Sequence, residues 1–429
     1  MIIYLTAITV FMVECLTMYF IYFSKQKEFK QELTNAYKSK YPIDKFFYFI
    51  MIPCLNEGKV IKDTLQHLIE LNGQKHIIVI DDDSDDDTVK QAKSIAGPIT
   101  ILQRKFPNAR TGKGDSLNSA MPTIQKLIDK QHLDPKYCLV GVIDGDGILS
   151  GNSIYKLNDV FGNEDIDAVQ LRVKMKTPKN ILQTFQDIEF FVVNHLMQLL
   201  RTNLNAVALC GNGQFFRYSS VYKKMGIHPW GDALLEDYEL TLRLELHGLK
   251  IKYITDAYVD QEALLSMKSL IKQRARWSQG GWDCWKYFKA ITQSKIMSNA
   301  QKFDVYCFFI QPVLNIFADF SIIYLTIKFI IQYHEHPEFL FVSMISLAIL
   351  GLLFGTIFTM IYIHEMRIND QANVVIQESD MINEKLHLRK AFLSIGLMSY
   401  IYIMLFFSLI LSTYHMLIGQ NAWDKTKRI

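Results

Sequence analysis

The sequence has no Cys-x-x-Cys pair. Its six cysteines, Cys15, Cys54, Cys138, Cys210, Cys284 and Cys307, are scattered, which indicates neither a zinc site nor a disulfide framework. Net charge is small as well: +3 over 429 residues gives no ground for a nucleic-acid partner. The first residues carry neither the positive n-region nor the small-residue cleavage site of a signal peptide. No internal repeat is visible, and the one low-complexity tract is a short run of aspartates. Apolar content of 50% with 13% aromatics excludes intrinsic disorder.

The mean hydropathy of +0.09 averages two populations. Residues 1–23 and about 305–420 are strongly apolar, while 24–300 have ordinary soluble composition. Ile2 to Phe23 is long enough to cross a bilayer core, about 33 Å as a helix. Lys25, Lys27, Lys30 and Lys38 follow it, and this lysine excess predicts a cytoplasmic exit. Glu14 inside the run is either functional or a neutral or paired carboxyl. Three more apolar stretches lie at about 305–331, 339–363 and 391–418; the first contains Pro312 and Asp319 and could be kinked or interfacial. The polar stretch 364–390, ending in His387-Leu388-Arg389-Lys390, suggests the cytoplasm. Four spans would put both chain ends outside, against which Lys425, Lys427 and Arg428 argue, so one segment is interfacial or re-entrant. The expected organisation is a membrane helix at 1–24, a cytoplasmic domain at 25–300 with amphipathic interfacial helices, a membrane region at 301–420 and a tail at 421–429.

Within the middle segment, buried-strand patterns at Phe46 to Pro53, His76 to Ile80, Tyr137 to Ile143 and Ala168 to Val173 alternate with helical spacing at Val60 to Leu71 and Lys113 to Asp129. This alternation predicts an α/β fold with a mostly parallel sheet covered on both faces. Ligands of such sheets bind at the carboxyl ends of strands.

Four motifs lie at those positions. Asp81 to Asp87 holds six carboxylates in seven positions directly after a strand. A solvated turn is one reading. The other is that Asp81, leaving a buried strand, needs a donor such as a nucleobase imide or ribose hydroxyls. Asp144-Gly145-Asp146 follows the next strand. Two carboxylates around a glycine can share a divalent cation and leave positions for diphosphate oxygens, or simply form a turn or cap. Glu236-Asp237 suits a helix start, where acidic residues complement the dipole, and also a general base. Gln273-Arg274-Ala275-Arg276-Trp277 combines arginines suited to diphosphate with a ring on which a sugar can stack. A basic–aromatic helix in the membrane interface fits the same residues.

With these four motifs in this order, residues 45–290 and the flanking apolar segments resemble the processive family 2 glycosyltransferases, the membrane synthases of poly-N-acetylglucosamine, hyaluronan, chitin and cellulose. Pro53, Asn56-Glu57, Lys113-Gly114, Leu117-Asn118 and Cys210-Gly211-Asn212-Gly213-Gln214 with Arg217 strengthen the resemblance. It implies a GT-A type nucleotide-sugar domain with transmembrane α-helices. Asp81 and Asp82 would then contact the uridine of a UDP-sugar, with Pro53, Asn56, Glu57 and Lys113 nearby. Asp144 and Asp146 would hold Mg²⁺ or Mn²⁺ on the diphosphate, which Gln273 and Arg276 would bind. Asp237, next to Glu236, would be the general base, and Cys210 to Gln214 with Trp277 would line the acceptor site. The chain departs from the family pattern at Asp83, where glycine is usual, and at Leu235, where threonine is common. It also shows no extension after the last apolar stretch that would hold a cellulose-synthase-type cyclic-di-GMP domain.

The resemblance implies inverting transfer, from UDP-N-acetylglucosamine or UDP-glucose, to a growing β-linked exopolysaccharide coupled to export. The alternative is single transfer to a membrane lipid, and a third reading is a silent scaffold or transporter subunit. Expected partners are the donor, a polysaccharide or lipid-linked acceptor, the bilayer and accessory membrane subunits. The expected location is the cell membrane, multi-pass, with the catalytic domain in the cytoplasm.

Overall fold

A computed structural model of the protein describes residues 9, 12–13, 16–25, 37–371 and 386–419. Glu14, Lys27, Lys30, Lys425, Lys427 and Arg428 lie outside the described residues, as does most of the first half of the N-terminal apolar run. Residues 16–25 are helical.

The soluble part is built on one eight-stranded sheet in the order β3-β2-β1-β4-β7-β6-β8-β5. Chain order begins with β1 (Phe47–Cys54), α1 (Ile61–Glu70), β2 (Gln74–Asp82), α2 (Thr88–Lys93) and β3 (Ile99–Arg104). Then come α3 (Lys113–Lys130), β4 (Cys138–Val142), β5 (Ile148–Leu149), α4 (Ser153–Phe161) and β6 (Ala168–Met175). Strands β3, β2, β1 and β4 are parallel, as the apolar runs predict. Beyond β4 the sheet is mixed, because β7 (Gln214–Arg217) runs antiparallel to both β4 and β6.

β1 shows why both faces must be covered. Tyr48, Ile50 and Ile52 pack with Ile61, Leu65 and Leu68 of α1 on one side. Phe49 and Met51 pack with Leu117, Met121 and Ile124 of α3 on the other. Successive strand residues point to opposite faces, so a strand apolar at every position is one with helices on both sides. The chain passes outward from β1 to β2 and β3, then returns to place β4 on the other side of β1. That reversal opens a crevice at the carboxyl ends of β1 and β4.

Between β6 and β7 lie α5 (Ile181–Ile188), a π-helical segment at Glu189–Asn194 and α6 (His195–Leu204). After β7 come α7 (Tyr218–Met225), α8 (Glu236–Leu246), β8 (Ile251–Gln261), α9 (Met267–Asp283) and α10 (Phe288–Gln293). Three long helices complete the chain: α11 (Asn299–Tyr333), α12 (Pro337–Gln371) and α13 (Leu386–Leu417). Among the described residues, Asn299–Tyr333 and Phe392–Leu417 are long and apolar enough to cross a membrane. Only 6% of the most apolar window of α11 is buried, whereas the core helix of a soluble protein would be largely covered. The helix runs through Pro312, and α12 continues past the expected end of its apolar run to Gln371.

The three long helices are not merely appended. Arg172 on β6 forms an ion pair with Glu365 on α12 at 2.9 Å, both fully buried, and Tyr22 donates to Glu365 at 3.0 Å. Tyr362 donates to Asp187 at 2.7 Å. Buried polar groups need such partners, and these ones lock the sheet to α12.

Candidate active site

The aspartate run is organised by its neighbours. Asn56 donates its backbone N–H to Ser84 Oγ at 3.0 Å and accepts from Asp85 N at 2.8 Å through Oδ1. Glu57 N donates to Thr88 Oγ1 at 2.8 Å, and Gly58 N to Asp86 Oδ2 at 3.0 Å. Arg104, Lys105 and Arg110 pair with Asp82, Asp83 and Asp85 at 2.7, 2.9 and 2.8 Å. These cations offset part of the repulsion within the run, and the sequence reading did not connect them with it. Asp83 sits at φ +67, in the left-handed region that favours glycine and that aspartate tolerates, so the turn survives the missing glycine.

Asp81 and Asp82 lie on opposite faces of the end of β2. Asp82 is held by Arg104 and by the Arg110 backbone N–H at 3.1 Å; burial nonetheless keeps its pKa above the usual value, with Arg104 opposing. Asp81 is 1% exposed, and neither of its carboxyl oxygens has a hydrogen-bond partner among the described residues. Asp82 and Asn56 Oδ1 are engaged within the protein, whereas both carboxyl oxygens of the buried Asp81 keep unmet acceptor capacity among the described residues.

A cavity of about 130 Å³ brings together Pro53, Glu57, Lys113, Asp144, Cys210, Gly211, Glu236, Asp237, Gln273, Arg276 and Trp277. Its centre is Lys113, at the start of α3, with Nζ 2.8 Å from Asp144 Oδ1 and 3.2 Å from Glu236 Oε1. Burial alone would lower the lysine pKa, but Asp144, Glu236 and Asp237 outweigh it and raise it. Asp237 opens α8 beside Glu236. Burial first, then the Glu236 charge, push its carboxyl up to about 7, with Lys113 opposing.

Gly211, at φ +77, brings backbone against this group: a Cβ there would stand 3.0 Å from Asp237 Oδ2. The loop around it is held by Gln170, whose side chain accepts from Cys210 N and donates to Asn212 O, both at 2.8 Å. Asn212 accepts from Asp144 N at 3.1 Å and donates to Gln261 at 3.1 Å. Gly213 N donates to Val142 O at 3.0 Å just before β7, which opens at Gln214, and neither residue lines this cavity. Gln170, Gln261, Glu262 and Phe190 were missed by the sequence reading because none belongs to a motif: Gln170 and Gln261 lie in strands, Phe190 in the π-helical segment and Glu262 just after β8.

Gln273, Arg276 and Trp277 lie three and four residues apart on α9 and so share a face. Arg274 points elsewhere. It pairs with Glu189 at 2.9 Å, Tyr400 of α13 donates to the same carboxylate at 2.6 Å, and the guanidinium lies 4.2 Å from the Trp277 ring centroid. The helix can approach the segment that leads into Glu236-Asp237 because residue 280 is glycine: a Cβ there would fall 2.3 Å from Leu235 N. α9 packs against α13 and presents this face to the cavity.

Asp144 and Asp146 are the carboxylates expected to offer oxygens to a cation. Asp146 is buried under the turn, accepting from Glu262 N at 2.8 Å, while Asp144 reaches the cavity. Among the described residues no three His, Cys, Asp or Glu side chains converge on one metal position. Two carboxylates fit a hard cation such as Mg²⁺ or Mn²⁺ that takes its remaining ligands from phosphates and water.

Residues 46–280 match the family described as glycosyltransferase like family 2. The beta-monoglucosyldiacylglycerol synthase of Trichormus variabilis is 25% identical over 295 residues, 67% of this chain and 58% of that protein. The poly-beta-1,6-N-acetyl-D-glucosamine synthase of Staphylococcus aureus (strain COL) is 28% identical over 235 residues, 54% of this chain and 53% of that one. The chain thus spans less than two thirds of the length of these relatives. The solved mannosyltransferase PcManGT from Pyrobaculum calidifontis, in complex with GDP-Man and Mn²⁺, is similar over 95% of this chain and 99% of its own, with a TM-score of 0.53 at 12% identity. That likeness is one of fold, the GT-A arrangement of a mixed sheet flanked by helices.

Proposed function

The chain belongs to the glycosyltransferase like family 2, and on that premise we propose that it transfers a sugar with inversion from a UDP-sugar to an acceptor hydroxyl at a membrane. The observation that carries the reading is the meeting at Lys113 of two motifs distant in sequence, Asp144 and Glu236-Asp237, in a cavity also lined by Arg276 and Trp277.

The chemistry follows from these groups. The bond from the anomeric carbon to the β-phosphate oxygen breaks, and its electron pair leaves with UDP. Lys113 and Arg276 stabilise that charge where bulk water is excluded. The acceptor oxygen bonds to the opposite face of the same carbon, and Asp237 takes its proton. One such carboxylate suffices, since no covalent sugar intermediate is required. Asp144 and Asp146 would hold the divalent cation, which when bound neutralises diphosphate charge. Asp81, with its unmet acceptors, is suited to a uracil N–H. Trp277 is suited to stacking against an acceptor sugar.

The acceptor reading we favour is a growing β-linked polysaccharide, supported by the Gln-x-x-Arg-Trp helix facing the cavity and by the long apolar helices packed behind it. Transfer to a membrane lipid is the second reading, supported by similarity to monoglucosyldiacylglycerol synthases over two thirds of the chain. Both put the enzyme in the cell membrane with its site in the cytoplasm. Product sizing after incubation of membranes with a panel of UDP-sugars separates them. A ladder of long chains supports the polymer, and a discrete one- or two-sugar glycolipid as sole product overturns it.

A further inference from the structure

A second cavity, of about 400 Å³, shares no lining residue with the first. It lies where the N-terminal helical stretch, β8 and α12 meet, with Tyr22, Lys25, Lys40, Lys156, Lys252 and Glu365 on its walls. Its volume is in the range of small-ligand sites.

The charges on its walls are unequally matched. Glu365 is committed to Arg172 and Tyr22, and Lys156 pairs with Asp256 at 2.6 Å. Asp159 accepts from Ser39 Oγ at 2.8 Å and from the Lys40 backbone N–H at 2.7 Å. The acidic groups are therefore satisfied by the protein. Lys40 and Lys252 are exposed, and among the described residues neither ammonium has a carboxylate within ion-pair distance. Neither lysine lines the first cavity.

Position indicates the source of an anion. Tyr22 and Lys25 stand where the first apolar run gives way to lysines, and Glu365 stands where α12 turns polar at His364, Glu365 and Arg367. Two separate helices change character at the wall of the same cavity. If they cross a bilayer, a step that rests on the membrane reading above, the cavity lies at headgroup height, where lysines meet lipid phosphates. Tyr22 and the buried Leu199 supply an apolar wall for the glycerol and first methylenes. We propose that this cavity binds a phosphate group, that of an anionic lipid headgroup or a free phosphate, through Lys40 and Lys252.

The test uses the full chain in phosphatidylcholine vesicles, in the same vesicles containing phosphatidylglycerol, and in phosphatidylcholine with added inorganic phosphate. The unfolding midpoint should rise in a phosphate-bearing arm. A rise only with phosphatidylglycerol assigns the site to lipid, and an equal rise with inorganic phosphate assigns it to free phosphate. In the K40Q/K252Q variant the ligand concentration needed should increase about thirtyfold, each lysine near an anionic surface contributing about 1 kcal/mol. The K223Q/K224Q variant, which removes two exposed lysines of α7, should behave as the parent. No rise in any arm, an undiminished rise in K40Q/K252Q, or an equal loss in K223Q/K224Q overturns the site. Flotation with vesicles and UDP release in phosphatidylcholine are read in parallel. Their loss in the parent counts against the membrane and transfer readings and leaves the inorganic-phosphate arm to decide the site.

Discussion

The ammonium of Lys113 stands 2.8 Å from the carboxylate of Asp144, although the two residues belong to a helix start and a strand end remote from each other in sequence. Glu236 approaches the same ammonium at 3.2 Å. One cation therefore holds the metal-type motif and the base-type motif at a common point. It also moderates the pKa of Asp237, whose burial and acidic neighbour push it upward.

The first prediction concerns the base. Asp237→Asn should lower transfer by about 10²- to 10⁴-fold while UDP binding, measured by calorimetry, is largely retained. Unchanged UDP release would remove Asp237 from this role.

The pH profile carries a sign. The base acts deprotonated, and its carboxyl is pushed up to about 7, so the rate should fall as pH drops through that region. Lys113 favours the charged carboxylate; in Lys113→Met the residual activity should show this limb moved to higher pH. A limb moved to lower pH would contradict the coupling.

Chelation tests the carboxylate pair. Excess EDTA should abolish transfer, and Mg²⁺ or Mn²⁺ should restore it. Asp146→Asn should raise the metal concentration required at least about tenfold. Full activity in excess EDTA would contradict the assignment of Asp144 and Asp146.

Adjacent glycines give a paired steric test. A Cβ at Gly280 meets Leu235 N at 2.3 Å, whereas one at Gly281 meets only the Phe308 ring at 3.5 Å. Gly280→Ala should cost about 1–3 kcal/mol in an unfolding titration and lower kcat, because Leu234 and Leu235, which lead into Glu236-Asp237, must shift. Gly281→Ala should leave both nearly unchanged, and equal effects would refute the close approach.

Arg172→Met leaves Glu365 buried without its guanidinium partner and should destabilise the protein by about 3–5 kcal/mol. Adding Glu365→Leu should recover most of that loss, since an apolar pair needs no solvation. A double variant as unstable as the single one would show that the pair is not the origin of the effect.

How much was legible depended on burial. β1, β2, β4 and β6 were readable to within a few residues because strands buried on both faces are continuous apolar runs. β8, with Lys252, Asp256 and Asp260 spread along it, has no such run and was not read as a strand. The motif residues at strand ends were legible because carboxylates interrupt apolar patterns. Gln170, which secures the Cys210–Asn212 loop, was not, because a glutamine inside a strand has no spacing that identifies its partner.

The order of four motifs and the segregation of apolar from polar segments were determined by the sequence itself, since both are local properties of the chain. Tertiary structure decided the roles within the motifs. Strand alternation put Asp82 against Arg104 and left Asp81 with unmet acceptors, though the two are chemically identical neighbours. Sheet topology brought Asp144 to Lys113 and Glu236, and glycine at 280 let α9 close on them. Contacts between residues distant in sequence leave no local signal, because their energy exists only once the sheet has ordered its strands.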